Sequence, residues 1–308
     1  MPSLGLKASS LQRYLKKSSA VTIAVVAIAA LAGVRHGVAE PTLADSGRLK
    51  ATSGVSQIEG SAGGGLVPWA VIAGYGTADA IGGSAHGTEI RTNNYNLWAT
   101  GAAIGLFNRG ELSFTHQEFD TQAAGRRLGL GAGYAFHQDV VGAKIRVVGD
   151  VVYGPAWLPQ IALGAQYKVN DRKAILHAIG AKSDHGVDFY ASATKLWLQE
   201  SLVLNATIRL TRANETGLLG FGGDRHDAYR PEFETSIAAM LSPSVALGAE
   251  YRTKPSNLRL SRESDWYDVF IAWFPTKHIS GSLAYVNLGT IAGRKNQNGI
   301  QLSAQVGF

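Results

Sequence analysis

The 308-residue sequence contains no cysteine and only two methionines, and charged residues make up only 17% of it. Without cysteine, disulfides and thiolate metal sites are excluded; an oxidising compartment is compatible with that but not established by it. Low charge combined with 45% hydrophobic residues excludes a disordered chain. Long apolar runs are missing too. The longest extends from Val21 to Ala32, well short of the roughly 20 residues a spanning helix requires. No His-Glu-x-x-His, Gly-x-Ser-x-Gly or complete Walker loop occurs, so the common signatures of zinc proteases, α/β-hydrolases and P-loop enzymes are absent.

Glycine is what the chain has in excess: 37 residues, about 12% against a usual share of roughly 7%. Such a composition disfavours helices and suits strands, bends and turns. The net charge of +6 is misleading, because Lys7, Arg13, Lys16, Lys17 and Arg35 all precede Glu40, the first acid. Beyond residue 39 the balance is nearly neutral, which removes the case for a nucleic-acid partner.

Residues 1–39 have the form of a cleaved secretory signal peptide: a basic start, the apolar run 21–32, then small residues. Gly37 and Ala39 fit one cleavage site, and Ala30 and Ala32 fit another. Residues 40–64 then form an N-terminal periplasmic tail or a plug, and residues 65–308 are expected to form the barrel described next.

From about residue 65 the chain repeats segments of strand length with period-two alternation. Ile300, Leu302, Ala304, Val306 and Phe308 share one face of the last segment, while Gln301, Ser303 and Gln305 share the other. Twelve segments follow this pattern: 65–73, 94–107, 110–119, 140–152, 159–168, 186–197, 202–213, 231–240, 245–254, 264–274, 278–288 and 299–308. Short connections alternate with longer ones, the latter near 74–93, 120–139, 169–185, 214–230, 255–263 and 289–298. That parity predicts an all-β fold, a transmembrane antiparallel up-and-down β-barrel of about 12 strands with short periplasmic turns and longer extracellular loops in an outer membrane. Trp69, Trp98, Tyr153, Tyr167, Trp197, Tyr251, Trp273, Tyr285 and Phe308 are expected in its interfacial girdles.

Several strings carry a family resemblance: Gly63-Gly-Gly-Leu-Val-Pro-Trp69, Leu218-Leu-Gly-Phe-Gly-Gly-Asp224, Glu250-Tyr-Arg252, Asp265-Trp266 with Asp268, Phe274-Pro275, Ala284-Tyr-Val286 and Gly307-Phe308. Over about 54–308 the chain resembles an uncharacterised outer-membrane-type family, domain of unknown function three-zero-three-four. The resemblance implies the barrel class and supplies no activity. A terminal Phe308 after an alternating strand also resembles the signal read by the barrel-assembly machinery.

Read by alternation, the lumen is lined by Glu111, Lys144, Arg146, Asp150, Lys168, Asp188, Arg209, Glu232, Glu234, Glu250, Arg252 and Asp268. Leu218, Gly220, Phe221, Gly222, Gly223 and Asp224 form a candidate loop constriction. No catalytic, cofactor-binding or metal-binding residues are expected, nor any cofactor. Lipid and lipopolysaccharide are the expected surroundings, with a small polar solute as the candidate ligand of a narrow porin-like channel. The alternatives are a lipid-acting enzyme, for which His116 is the one candidate, and a structural or adhesive barrel.

Overall fold

A computed structural model describes residues 48–127 and 129–308. The expected signal peptide and the tail up to residue 47 lie outside the described residues. A short ladder pairs β1 (Val55–Ser56) with β2 (Ala62–Gly63). The other strands are β3 (Ile81–Thr92), β4 (Asn96–Leu106), β5 (Gly110–Asp120), β6 (Ala135–Val148), β7 (Gln160–Asn170), β8 (His185–Trp197), β9 (Leu202–Thr211), β10 (Arg230–Ser242), β11 (Val245–Arg252), β12 (Trp266–Trp273), β13 (Ile279–Asn287) and β14 (Asn298–Gly307). Among the described residues these twelve close into one antiparallel barrel in chain order, with β14 paired to β3.

The alternation in sequence becomes an inverted burial pattern. On β9, Leu204, Ile208 and Leu210 are exposed, while Asn205, Thr207 and Arg209 are buried. On β14, Ile300, Leu302 and Val306 face out, whereas Gln301, Ser303 and Gln305 face in. Water would not tolerate so broad an outward apolar surface, but lipid requires it, and closure leaves no unpaired strand edge in hydrocarbon. The chain is therefore an outer-membrane barrel. Tyr153, Tyr167, Tyr251, Trp273, Tyr285 and Phe308 are exposed as girdle residues should be.

Among the described residues the barrel wall has twelve strands, but they are not the twelve that the pattern marks. Residues 65–73 are not in the wall, so the expected barrel start at residue 65 is corrected to Ile81. Leu66, Val67, Ala70, Val71 and Ile72 are all buried, on both parities, because this segment lies inside the lumen with protein all around it. Trp69 is likewise no girdle residue: it is buried, and its Nε1 donates to Ser236 Oγ at 2.9 Å. The true first strand falls in what reads as a long loop, since Gly82, Gly83, Ser84, Ala85 and Gly87 carry no apolar alternation. Small residues are needed there: a Cβ on Gly83 would lie 2.8 Å from the Phe308 ring, and one on Gly82 would lie 2.5 Å from Gly76 N. The hairpin joining β3 to β4 is consequently a tight Asn93-Asn94-Tyr95 turn. The other connections at that rim are long, among them 121–134, 212–229 and 253–265. Following the loop-length rule for outer-membrane barrels, that rim is taken as extracellular.

Candidate functional site

The lumen is filled in layers, and its middle layer is ionic. Inward alternation on β7, β9 and β11 delivers Lys168, Arg209 and Arg252, while β8 and β10 deliver Asp188 and Glu234. The sixth member comes from the inner segment. Glu59, fully buried, forms an ion pair with Lys168, lies 2.9 Å from Arg252 and sits 3.5 Å from Arg209. Lys168 also reaches Asp188 at 2.6 Å, and Arg209 engages Glu234 at 2.5 Å with its guanidinium over the Tyr190 ring. Three cations thus meet three buried anions, and Lys168, Arg209, Arg252, Glu59 and Asp188 make further hydrogen bonds, as buried charge requires. Burial alone would raise the Glu59 pKa, but Arg252, Lys168 and Arg209 outweigh it and hold the carboxyl well below the usual range.

Towards the periplasm a second pair forms. Lys144 lies 3.1 Å from Glu111, and both fasten the inner segment: Lys144 donates to the Ala62 and Trp69 carbonyls, and Glu111 accepts from Ala62 N, Ser61 Oγ and Ala73 N. Towards the extracellular mouth the character changes. Ile90, Tyr95, Leu97, Phe119, Trp266 and Leu288 face inward there and surround a cavity of about 20 Å³ together with Leu218 and Glu215. Loop 212–229 closes over this layer. Its Phe221 is fully buried, its backbone pairs with Ser183, and its ring occupies the space a Cβ on Gly186 would need. The Thr216 carbonyl reaches down to accept from Lys168 at 3.0 Å. Glu215 is buried beside Lys254 at 2.8 Å, and Lys254 also lies 3.5 Å from Glu263. Burial raises the Glu215 pKa well above its usual value; Lys254 opposes that and Glu263 adds to it.

The structure brings together Lys168, Asp188, Arg209, Glu234 and Arg252, and separately Glu111 with Lys144. Glu250 and Asp268 are also buried inside. Arg146 and Asp150 are only partly buried and pair with each other at 3.3 Å by the periplasmic rim. Glu232 is half-buried at the mouth, where its carboxylate accepts from Thr253. Of the loop residues, Leu218, Gly220, Phe221, Gly222 and Gly223 are buried, whereas Asp224 is exposed. Glu59 is absent from the charges that alternation turns inward: it sits in Gln57-Ile-Glu-Gly60, inside the stretch read as a periplasmic tail or a plug, where no alternation marks it. Lys254 and its two carboxylates were missed because they lie on loops that only tertiary folding joins.

A closed membrane barrel whose lumen is occupied by its own N-terminal segment and covered by a folded loop defines the class. Within that class the chain belongs to the family described as Protein of unknown function (DUF3034), whose model matches residues 52–305. No curated protein matches it. Among solved structures it is similar to the KdgM porin, with a TM-score of 0.47, 11% identity, and coverage of 73% of this chain and 99% of that one. Acinetobacter baumannii Omp33 matches with a TM-score of 0.44, 10% identity, and coverage of 73% and 97%. Outer membrane phospholipase A from Escherichia coli does so with 0.44, 10%, and coverage of 76% and 93%. Likeness at this level carries nothing about activity.

Proposed function

We propose that the protein is a narrow porin-like channel for small polar solutes, closed in the described state by residues 55–74 and by loop 212–229. One observation carries this reading: the central anion of the lumen, Glu59, belongs to the inner segment and not to the wall. Withdrawal of that segment leaves a path lined by Lys168, Asp188, Arg209, Glu234 and Arg252. A barrel serving only as a scaffold has no use for such a lining, since apolar filling would be at least as stable. Twelve strands enclose more space than the eight that side chains alone can fill. The mixed charge favours no strong ion selectivity. Phe308 as an assembly signal and lipopolysaccharide as a neighbour belong to the same reading.

Planar-bilayer recording tests it. The full chain is expected to be mostly closed with rare small openings, and a variant lacking residues 48–74 is expected to conduct steadily. Silence from both proteins, each shown to be folded, would remove the channel reading.

A second reading, lipid hydrolysis, rests on one specific observation. His116 Nδ1 lies 2.7 Å from Asp139 Oδ1 on the outward face, and Thr100 stands opposite His116 on the neighbouring strand. A nucleophile, a base and an orienting acid in that order are the elements of acyl transfer, although the hydroxyl here is threonine's. Release of fatty acid from phospholipid micelles, abolished in His116→Ala, is the expected sign; equal rates in both proteins would end this reading.

A further inference from the structure

In the middle layer of the lumen a carboxylate is held by the wall but does not belong to it. Lys168, Arg209 and Arg252 project from alternate strands, β7, β9 and β11, are 0%, 1% and 4% exposed, and converge on Glu59. Both of its carboxylate oxygens are engaged. Oε1 takes the Lys168 ammonium, and Oε2 takes Arg252 at 2.9 Å with Arg209 at 3.5 Å. Gln57 also donates to Oε2, but it lies on the same inner segment and leaves with it. The wall's own anions in this layer, Asp188 and Glu234, are shared among the same three cations. The wall alone therefore sets three positive groups against two negative ones. That excess matches one monovalent anion.

We propose that this cradle binds the carboxylate of a small organic acid passing through the barrel, and that Glu59 fills it in the closed state as an internal competitor. The proposal rests on the channel reading for the passage of a solute and goes beyond it in naming the solute's class. The geometry required is the one Glu59 displays, a carboxylate between one ammonium and two guanidinium groups, which bind it by charge-assisted hydrogen bonds. An acid arriving there restores the ion pairs that withdrawal of the segment breaks, so no cation is left buried without its partner.

The rest of the lining agrees. Arg252 also donates to the Leu66 carbonyl at 3.2 Å, and Thr207 donates to the Pro68 carbonyl at 2.9 Å. Further towards the periplasm, Lys144 reaches Ser61 Oγ and the Ala62 carbonyl at 3.0 Å and the Trp69 carbonyl at 3.1 Å. These wall donors are freed together with the cradle and can receive the other oxygens of the acid. Recognition at one such place works by coordination, so it coexists with a lumen of mixed sign that discriminates little between free ions. Linkage follows from it. An acid that binds only the opened form raises the open population by the factor 1 + [L]/Kd.

Hydrogen exchange on the full chain in detergent tests this, with sodium acetate as the probe. The controls are sodium chloride at equal ionic strength and neutral acetamide at equal concentration. Exchange over residues 55–63 is expected to quicken severalfold and saturably in acetate and to stay unchanged in both controls. Glu59→Ala removes the equivalent of one acetate from the cradle, so acetate alone should raise the Tm of that variant by roughly 3 °C. Adding Arg252→Gln should abolish the rise. If Glu59→Ala does not fold, the wild-type exchange decides. Unchanged exchange in acetate overturns the proposal. Equal quickening by chloride overturns it too, because the cradle then takes any anion. Silent bilayers with an acetate response would remove the channel reading alone, whereas steady conduction without that response removes only the carboxylate site.

Discussion

The middle of the lumen and its extracellular mouth are built on opposite principles, although the same strands form both. Around Glu59, six charged groups are buried in alternating sign, and the inner segment is held by ion pairs. At the mouth, aromatic and aliphatic side chains pack under loop 212–229, and one lysine is shared by two buried carboxylates. The first arrangement is strict about partners, since losing one ion leaves another uncompensated. The second is strict about volume. An inner segment and a lid secured by different forces can be released by different stimuli.

The largest effect is expected in the middle layer. Glu59→Gln leaves Lys168, Arg209 and Arg252 to share only Asp188 and Glu234, an excess of one buried positive charge, and should cost about 3–5 kcal/mol, read as the unfolding midpoint in denaturant. A loss below 1 kcal/mol would show that the wall anions suffice and that the inner segment is not held by charge. Phe221→Ala empties a fully buried site in the lid and should cost about 3 kcal/mol locally, seen as faster hydrogen exchange over 212–229 with the barrel unchanged. Faster exchange throughout the barrel would mean that lid and wall open together. Gly186→Val drives a side chain into the Phe221 ring and should cost about 1–3 kcal/mol, lifting the same loop without emptying it.

The smallest effects come from pH, and they run in opposite directions. The Glu59 pKa is depressed, so its contribution is present above the ordinary carboxylate range and is lost only as pH falls through the lower, folded value. The Glu215 pKa is raised, so closure of the lid is firmest below the ordinary carboxylate range and weakens as pH climbs through the raised value. Lys254 and Glu263 are the charged side chains within ion-pair reach of this cluster. Hydrogen exchange, corrected for its intrinsic pH dependence, should show the inner segment loosening in strong acid and the lid loosening towards alkaline pH. A common response of both would erase the distinction between them.

Much of the wall was legible in sequence because a membrane barrel imposes one rule on each strand. Every outward residue must suit lipid and every second one must suit the lumen, so Leu204 to Leu210 or Ile300 to Val306 declare themselves locally. The rule fails where function of position replaces it. β3 carries glycines because Phe308 and Tyr75 pack against it, and residues 65–73 look like wall because a segment wrapped in protein can be apolar on every side.

The sequence by itself therefore determined the compartment, the barrel and the identity of the charges that alternation turns inward. Only the tertiary structure decided which charge meets which, that Glu59 completes the ionic layer, and that loop 212–229 covers an apolar mouth. The reason is physical. Alternation is a property of neighbouring residues, whereas the pairing of Glu59 with Arg252, 193 positions apart, is fixed only when the barrel closes around the chain inside it.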